Sequence, residues 1–385
     1  MDFHYFKKLL LDCGRALEDG NLELLNALLE RIFTLAAKYN RGRMVKYYAE
    51  GIVRRAYELH PSLPYFYSLL PFYYYFYYYS SPLNKIKPNV LNGKKQKQVH
   101  LIDFYLPHLY HRNRGYLFDG MRKLVCGDTT VCVRVSVVLP PFLKGIVDVG
   151  REEQYLARQA EEMEIEFKNL QMVYANSLGE MNPKLPFMLN LLGRRAEDDE
   201  AVVIFYSSKL NKLLAEEGAL ERELKRLAQI NPDVVFITEP NANHNHSNFV
   251  QRLEDSFPYY FHDRVLLFTD EEEKICRGEI GNIVGCEGKN RVARHLTFHQ
   301  WRSLFLSAAF MIPIPLQSIY HKEEENGCLV SGDRFQSAWK FNSVDHFDPS
   351  SFNSRLRGTH FFSSFLLGDV FVQYCLFFYP CFNKY

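Results

Sequence analysis

"QVHLIDFYLPHLYHRNRG", residues 98–115, decides the fold class. Its first half is a short apolar run, broken by His100 and closed by an acid, Asp103. Such a run suits a strand buried on both faces, as parallel sheets require. Similar runs recur at 131–139 (VCVRVSVVL), 201–206 (AVVIFY) and 234–239 (VVFITE), with "EIEFKNL" at 164–170 as a further candidate. Helical stretches separate them, among them "GREEQYLARQAEEMEI" at 150–165 and "GALERELKRLAQI" at 218–230. Strands alternating with helices imply βαβ crossovers, and hence an α/β fold with a doubly wound, mostly parallel sheet.

In enzymes of that architecture the first strand leads into a glycine-rich turn. Its backbone N–H groups face the ligand at a helix start. Here Phe104, Tyr105, Leu106, Pro107 and His108 follow Asp103, and the first glycine is Gly115. Pro107 also removes an N–H from the turn. No cofactor is therefore expected, and a methyltransferase-type enzyme using S-adenosylmethionine is an alternative resting on fold class alone. Phe104, Leu106 and Pro107 are expected to brace the core against a helical cap, with His100 and Asp103 holding that junction by hydrogen bonds.

The cap is read from residues 4–60. Leu25, Leu28, Leu29, Ile32, Leu35 and Ala36 recur at helical spacing. "DGN" at 19–21 breaks the preceding helix, and Asn21 can cap the next. A third helix is expected from about Arg41 to His60, stopped by Pro61. "LNALL" at 25–29 has the L-x-x-L-L form, which docks into partner grooves. The same pattern packs a helix against its own neighbours.

Lys+Arg 46 against Asp+Glu 45 gives a net charge of +1, which supplies no bulk attraction to nucleic acid or acidic lipid. The eight cysteines form no C-x-x-C pair and read as buried thiols of a reducing compartment. The N-terminus carries no secretory pattern. "YFYSLLPFYYYFYYY" at 65–79 is low in complexity, and "GKKQK" at 93–97 reads as a solvated loop. "FFSSFLLGDVFVQYCLFFYP", 361–380, has the length of a bilayer span, but Asp369 and Gln373 are costly in lipid. No membrane partner is expected apart from this segment.

Three constellations invite chemistry. His244 and His246 in "NHNHSNF" form an H-x-H pair, and His295 and His299 stand four residues apart on an expected helix. Neither has a recognisable third ligand, so capping and loop hydrogen bonds are the reading and no metal is expected. In "CEGKNRVARH", 286–295, Cys286 follows an apolar run and reads as a buried thiol. Arg291 and Arg294 can hold phosphate or pair with carboxylates across the fold.

The order of these segments resembles the GRAS family of plant transcriptional regulators, and most closely its DELLA branch. "LLLDCGRALEDGNLELLNALLERIFTLAA" is similar to the first leucine-rich region, followed by "MVKYYAEGIVRRAYELHP". "VHLID" at 99–103 corresponds to the VHIID motif, and "VYANSL" at 173–178 to the second leucine-rich region. Asn243, His244 and Asn245 fall in the PFYRE-like region. Glu287, Arg291 and Arg294 belong to the RVER-like motif, with Trp301 after it, and Trp339 lies in "SAW".

The resemblance implies a methyltransferase-like Rossmann core used for protein contacts, in a nuclear protein without enzymatic activity. Expected partners are DNA-binding transcription factors. Homo- or hetero-oligomers with other GRAS proteins and direct DNA contact are also implied for the family. The partner surface is expected at Leu25, Leu28, Leu29 and Ile32 and at His100 and Asp103. Residues 1–341 are expected to form a GRAS-like domain, with the cap at 5–60 and the α/β core at 98–341. Residues 342–385 then form a hydrophobic tail with no family counterpart. Met1 stands just before the first leucine-rich region, so the DELLA-type N-terminal region is expected to be absent. Ala293 stands in place of the acid of RVER, and a shortened stretch precedes "SAW". An inactive, diverged remnant is the remaining alternative.

Overall fold

The computed structural model describes residues 3–39, 42–59, 98–104, 132–145, 147–162, 164–193, 200–207, 209–239, 242–261, 270–307, 311–315 and 374–380. The loop after Phe104, the tyrosine run, the basic cluster at 93–97 and Trp339 lie outside them. Three helices open the chain: α1 (Phe3–Glu18), α2 (Leu22–Ala36) and α3 (Gly42–Ala56). Asn21 caps α2 as expected, its side chain accepting from the Leu24 N–H at 3.0 Å. The third helix ends at Ala56 rather than near His60. Tyr57 and Glu58 form a turn in which Glu58 has φ 52° and the Leu59 N–H reaches back to the Arg54 carbonyl at 2.8 Å.

The core is a seven-stranded sheet of order β3-β2-β1-β4-β5-β7-β6. Its strands are β1 (Gln98–Phe104), β2 (Cys132–Leu139), β3 (Glu166–Tyr174), β4 (Glu200–Ser207), β5 (Val234–Glu239), β6 (Met311–Pro315) and β7 (Tyr374–Pro380). The five strands β1 to β5 pair in parallel, with β1 central between β2 and β4. Strand β7 runs antiparallel to both β5 and β6. The crossovers carry α4 (Val149–Glu162) before β3, α5 (Pro186–Leu192) before β4, and α6 (Leu210–Leu213) with α7 (Ala219–Ile230) before β5. After β5 come α8 (Phe249–Tyr260), α9 (Asp270–Gly285) and α10 (Phe298–Ser307). This is the doubly wound α/β architecture read from the sequence.

Strand β7 lies within residues 342–385, expected to form a hydrophobic tail, and pairs from Tyr374 to Phe378 with β5 and from Leu376 to Pro380 with β6. An apolar, aromatic-rich run satisfies a sheet interior as readily as a bilayer length rule. Among the described residues no helix is long and apolar enough to cross a membrane.

Two apolar cores follow from the helix stripes. One sits on the sheet, where Ile102, Phe104, Val202, Ile204 and Tyr206 meet α5, α7 and α10. The other lies between the cap helices and α8 and α9, and holds Leu25, Ile32, Val45, Ile52, Leu253 and Ile283. The cap therefore docks on the helices that follow β5.

Helices α3 and α9 cross where Gly51 faces Val284 and Gly285. A Cβ on Gly51 would stand 2.9 Å from the Val284 Cβ. That neighbour is a branch point on a helix and cannot swing away. Gly51→Leu is expected to lower stability by about 1–3 kcal/mol through overpacking. An unchanged midpoint in urea unfolding would show that the crossing is loose.

Candidate functional site

The residues singled out at 243–245 and 287–294 converge. The segment 242–248 leads into α8, whose N-cap Asn248 accepts from the Gln251 N–H at 2.8 Å. It runs beside the segment after α9, where the His244 N–H donates to the His295 carbonyl at 3.0 Å. Beneath that bond the two imidazoles meet, Nδ1 to Nδ1 at 2.9 Å. Sequence reading paired His244 with His246 and His295 with His299. The fold separates both pairs: His246 is exposed, and His295 is in extended chain before α10 begins at Phe298. Both buried rings are held neutral, their pKa lowered by burial. A proton on His295 would lower His244 further, and Lys212 lowers His295 further, to about 3. Among the described residues no group of three or more His, Cys, Asp or Glu side chains is placed to hold a metal ion.

Outside the histidine pair lies a knot of guanidinium groups around one carboxylate. Arg252 on α8 is fully buried. Its Nε donates to the Ile283 carbonyl at 3.1 Å, its Nη1 to the His246 carbonyl at 2.7 Å, and its Nη2 pairs with Glu287. Arg55 on α3 donates to the same Glu287 oxygen at 2.6 Å and lies over the Phe249 ring, 4.1 Å from its centroid. Arg291 Nε stands 3.6 Å from the other Glu287 oxygen, and its Nη1 donates to the His244 carbonyl at 3.1 Å. Arg294 donates to the Gly288 carbonyl at 2.8 Å and to the Arg291 carbonyl at 2.9 Å. Asn245 accepts weakly from Arg291 and Arg294, at 3.4 and 3.5 Å. Burial, with Arg252 and Arg294 close by, pulls the Arg291 pKa down to about 10. The arginines hold Glu287 below the usual carboxylate range against its partial burial.

Ala293 contributes its N–H, bonded to Asn282 Oδ1 at 2.8 Å, and its methyl packs in the cap core. Cys286 is buried and its thiol is pushed up by desolvation, as suits a structural cysteine. Trp301 stacks with Phe305 at 5.8 Å in the sheet-side core. Asn243 donates to Asp255 at 3.0 Å, tying the loop to α8.

A second polar cluster sits at the ends of β4 and β5. Tyr206 donates to Glu223 at 2.5 Å, and the other Glu223 oxygen accepts the Gly179 N–H at 2.6 Å. Glu239 accepts from the N–H groups of Leu210 and Asn211, at 2.7 and 3.3 Å, and from the Asn211 amide. Burial raises Glu239 to about 7 and lowers Lys209 to about 8. Such values suit acid–base chemistry, but both carboxylates are spent on backbone and side-chain donors that fix the loops after these strands.

The expected partner residues do not form one surface. Leu25, Leu29 and Ile32 are packed inside the cap core, because they are the stripe that joins α2 to α1 and α3; Leu28 is half-buried. Leu22 and Leu24, 43% and 47% exposed, are the leucines α2 turns outward. His100 bonds Ser136 on the neighbouring strand at 2.8 Å and meets the edge of Phe187. It is buried in the sheet, as is Asp103, so the hydrogen bond of His100 ties strand to strand rather than sheet to cap. Phe104 likewise stacks on Tyr206 at 4.4 Å within the sheet-side core, away from the cap. Leu106 and Pro107 lie outside the described residues.

Arg55 and Arg252 were missed as site residues, although one signal was available. Phe249, Arg252, Leu253, Ser256, Phe257 and Tyr260 mark the buried stripe of α8, so an arginine on an apolar face announces a buried ion pair.

A model of the GRAS domain family matches residues 6–330. The chain is 32% identical to DELLA protein GAIP of Cucurbita maxima over 86% of its length and 62% of that protein's. It is 29% identical to DELLA protein GAI1 of Vitis vinifera, covering 84% of this chain and 58% of that one. It thus spans about three-fifths of the length of these curated relatives. A crystal structure of SCL7 from Oryza sativa superposes with a TM-score of 0.60 at 20% identity, over 83% of this chain and 89% of that chain. At that identity the likeness speaks for the fold.

Proposed function

We propose, from the premise that this chain belongs to the GRAS family, that it is a nuclear transcriptional regulator of plants without enzymatic activity. It works by binding DNA-binding transcription factors. The DELLA relatives are the ground for placing it among repressors of gibberellin responses. The observation that carries the reading is the ordered set of family segments, matched over 6–330, built around a helical cap with outward leucines.

The contact face on α2 is assigned to Leu22 and Leu24, with Leu28 at its margin. Leu25, Leu29 and Ile32 serve it indirectly, by holding the helix in place. The test is a pull-down with zinc-finger and helix-loop-helix transcription factors, repeated with Leu22→Asp/Leu24→Asp. These side chains are exposed, so the variant is expected to melt as the native protein does while losing its partners. Equal capture by both proteins would remove the α2 face from the reading, and no capture by either would remove the reading itself. Calorimetry with S-adenosylmethionine tests the enzyme alternative, and no binding heat is expected.

A further inference from the structure

The arginine knot has more positive charge than its own carboxylate can neutralise. Among the described residues Arg55, Arg252, Arg291 and Arg294 surround Glu287 as their one acidic partner. Arg55 and Arg252 share one of its oxygens, and Arg291 stands beyond hydrogen-bond length from the other. Arg294 donates to main-chain carbonyls and, at 3.5 Å, to Asn245. A guanidinium satisfied only by neutral acceptors retains its charge, and Arg294 is half-buried rather than enclosed. Glu287 is 43% exposed, the 288–290 turn beside it is open, and Lys289 projects from that turn. Gly288 has φ +54°, with open space where a side chain would stand. The chain as a whole carries only +1, so this is a local excess.

The same helix end is apolar. Directly after Arg55, Tyr57 and Leu59 are 46% and 56% exposed. Tyr57 donates to Asn26 on α2 at 2.8 Å, which joins this end of α3 to the α2 turn bearing Leu22. Basic and apolar groups therefore follow one another at the end of α3: Arg55 reaches toward Glu287, and Tyr57 and Leu59, with the exposed Glu58 between them, come next in the chain.

We infer that this region, with Arg55, Arg294 and Lys289 as its charged half and Tyr57 and Leu59 as its apolar half, docks an amphipathic acidic helix of a partner protein. Glu287 stands in for the partner's carboxylates in the free protein. The inference rests on the proposed role in protein binding and names the chemistry of the partner. Charge complementarity selects the occupant. Nucleic acid fits less well, because Arg252 and Arg291 are buried and the reachable cations form one point, whereas a phosphate backbone needs a track of them.

The test uses the full chain and a fluorescein-labelled helical peptide with leucines on one face and glutamates on the other, followed by anisotropy. Arg55→Gln/Arg294→Gln is expected to weaken binding by about tenfold or more, as loss of charge-assisted contacts does. Lys289→Gln, a surface change that leaves the fold alone, is expected to weaken it by a few-fold. The same peptide with glutamine for glutamate is expected to bind as weakly as the double variant. Equal affinity for all proteins, or for both peptides, overturns the inference. So does a DNA duplex that binds more tightly than the peptide and shows the same sensitivity to these variants. Because the probe is synthetic, failure with transcription factors and failure here are separate results.

Discussion

Arg252→Ala is expected to cost the fold about 3 kcal/mol, the largest single-residue loss outside the apolar cores. The side chain is 0% exposed and ties together the end of α9, the loop before α8 and Glu287. Truncation leaves the carbonyls of Ile283 and His246 without this donor, and a buried acceptor stripped of its partner costs about 1–3 kcal/mol. Glu287 keeps Arg55, so the loss on the carboxylate side is smaller than for a fully buried pair. Arg252→Lys retains the charge, but one ammonium nitrogen cannot reach the three separated acceptors that Nε, Nη1 and Nη2 span, and it is expected to fall between the two. Urea unfolding monitored by tryptophan fluorescence measures the series. An alanine variant within a few tenths of a kcal/mol of the native protein would show that the knot is not a structural tie.

The second large effect is with pH. The His244 and His295 rings share one Nδ1-to-Nδ1 bond, so one ring donates and the other accepts. Protonating both would set two donors face to face. The surroundings give no relief. His244 stacks on Tyr260 at 5.5 Å and meets the edge of Tyr259, and its carbonyl is taken by Arg291. Among the described residues the acid paired with His295 is Glu279, 4.0 Å from its Nε2, and it accepts from Tyr260 at 2.9 Å. Lys212 opposes a charge on His295.

Both folded-state pKa values are depressed, so below about pH 6.5 the unfolded chain binds protons that the folded chain refuses. Stability is fully present above that pH. It falls by about 1.4 kcal/mol per pH unit for each histidine as the pH drops toward the folded value, about 3 for His295. Glu239, raised to about 7, titrates in the opposite sense between about pH 4.5 and 7 and offsets part of the slope. The measurement that isolates the pair is therefore a difference: unfolding free energy between about pH 7 and 5 for the native chain and for His295→Asn. The native chain is expected to be steeper by about the slope of one histidine. Parallel curves would mean that the rings are not protected from protons.

The sheet was legible because buried parallel strands write themselves as short apolar runs. The runs at 99–104, 131–139, 201–206 and 234–239 became β1, β2, β4 and β5 within a residue or so, and "EIEFKNL" opened β3. Strand β7 was illegible for the same reason that it was noticed: an apolar aromatic run signals burial without saying in what. The position of β7 between β5 and β6 depends on pairing that no local pattern encodes.

At the candidate site, sequence reading identified the segments but mispaired their side chains. Spacing along the chain suggested His244 with His246, whereas an extended segment placed His244 against His295, 51 residues away. Leu25 and Leu29 pack inside the cap core, and a helix stripe looks the same in sequence whether it faces a partner or its own neighbour.

The strand order also has a temporal consequence. Of the seven strands, β7 leaves the ribosome last, yet β6 pairs with β7 alone, and β5 borders it on the other side. Until Tyr374–Pro380 is synthesised, β5 presents a bare edge and β6 has no place in the sheet. A nascent or truncated chain ending before that strand is thus held in a state open to strand-to-strand aggregation, and chaperones would have to shield it for the interval in which the last segment is being made.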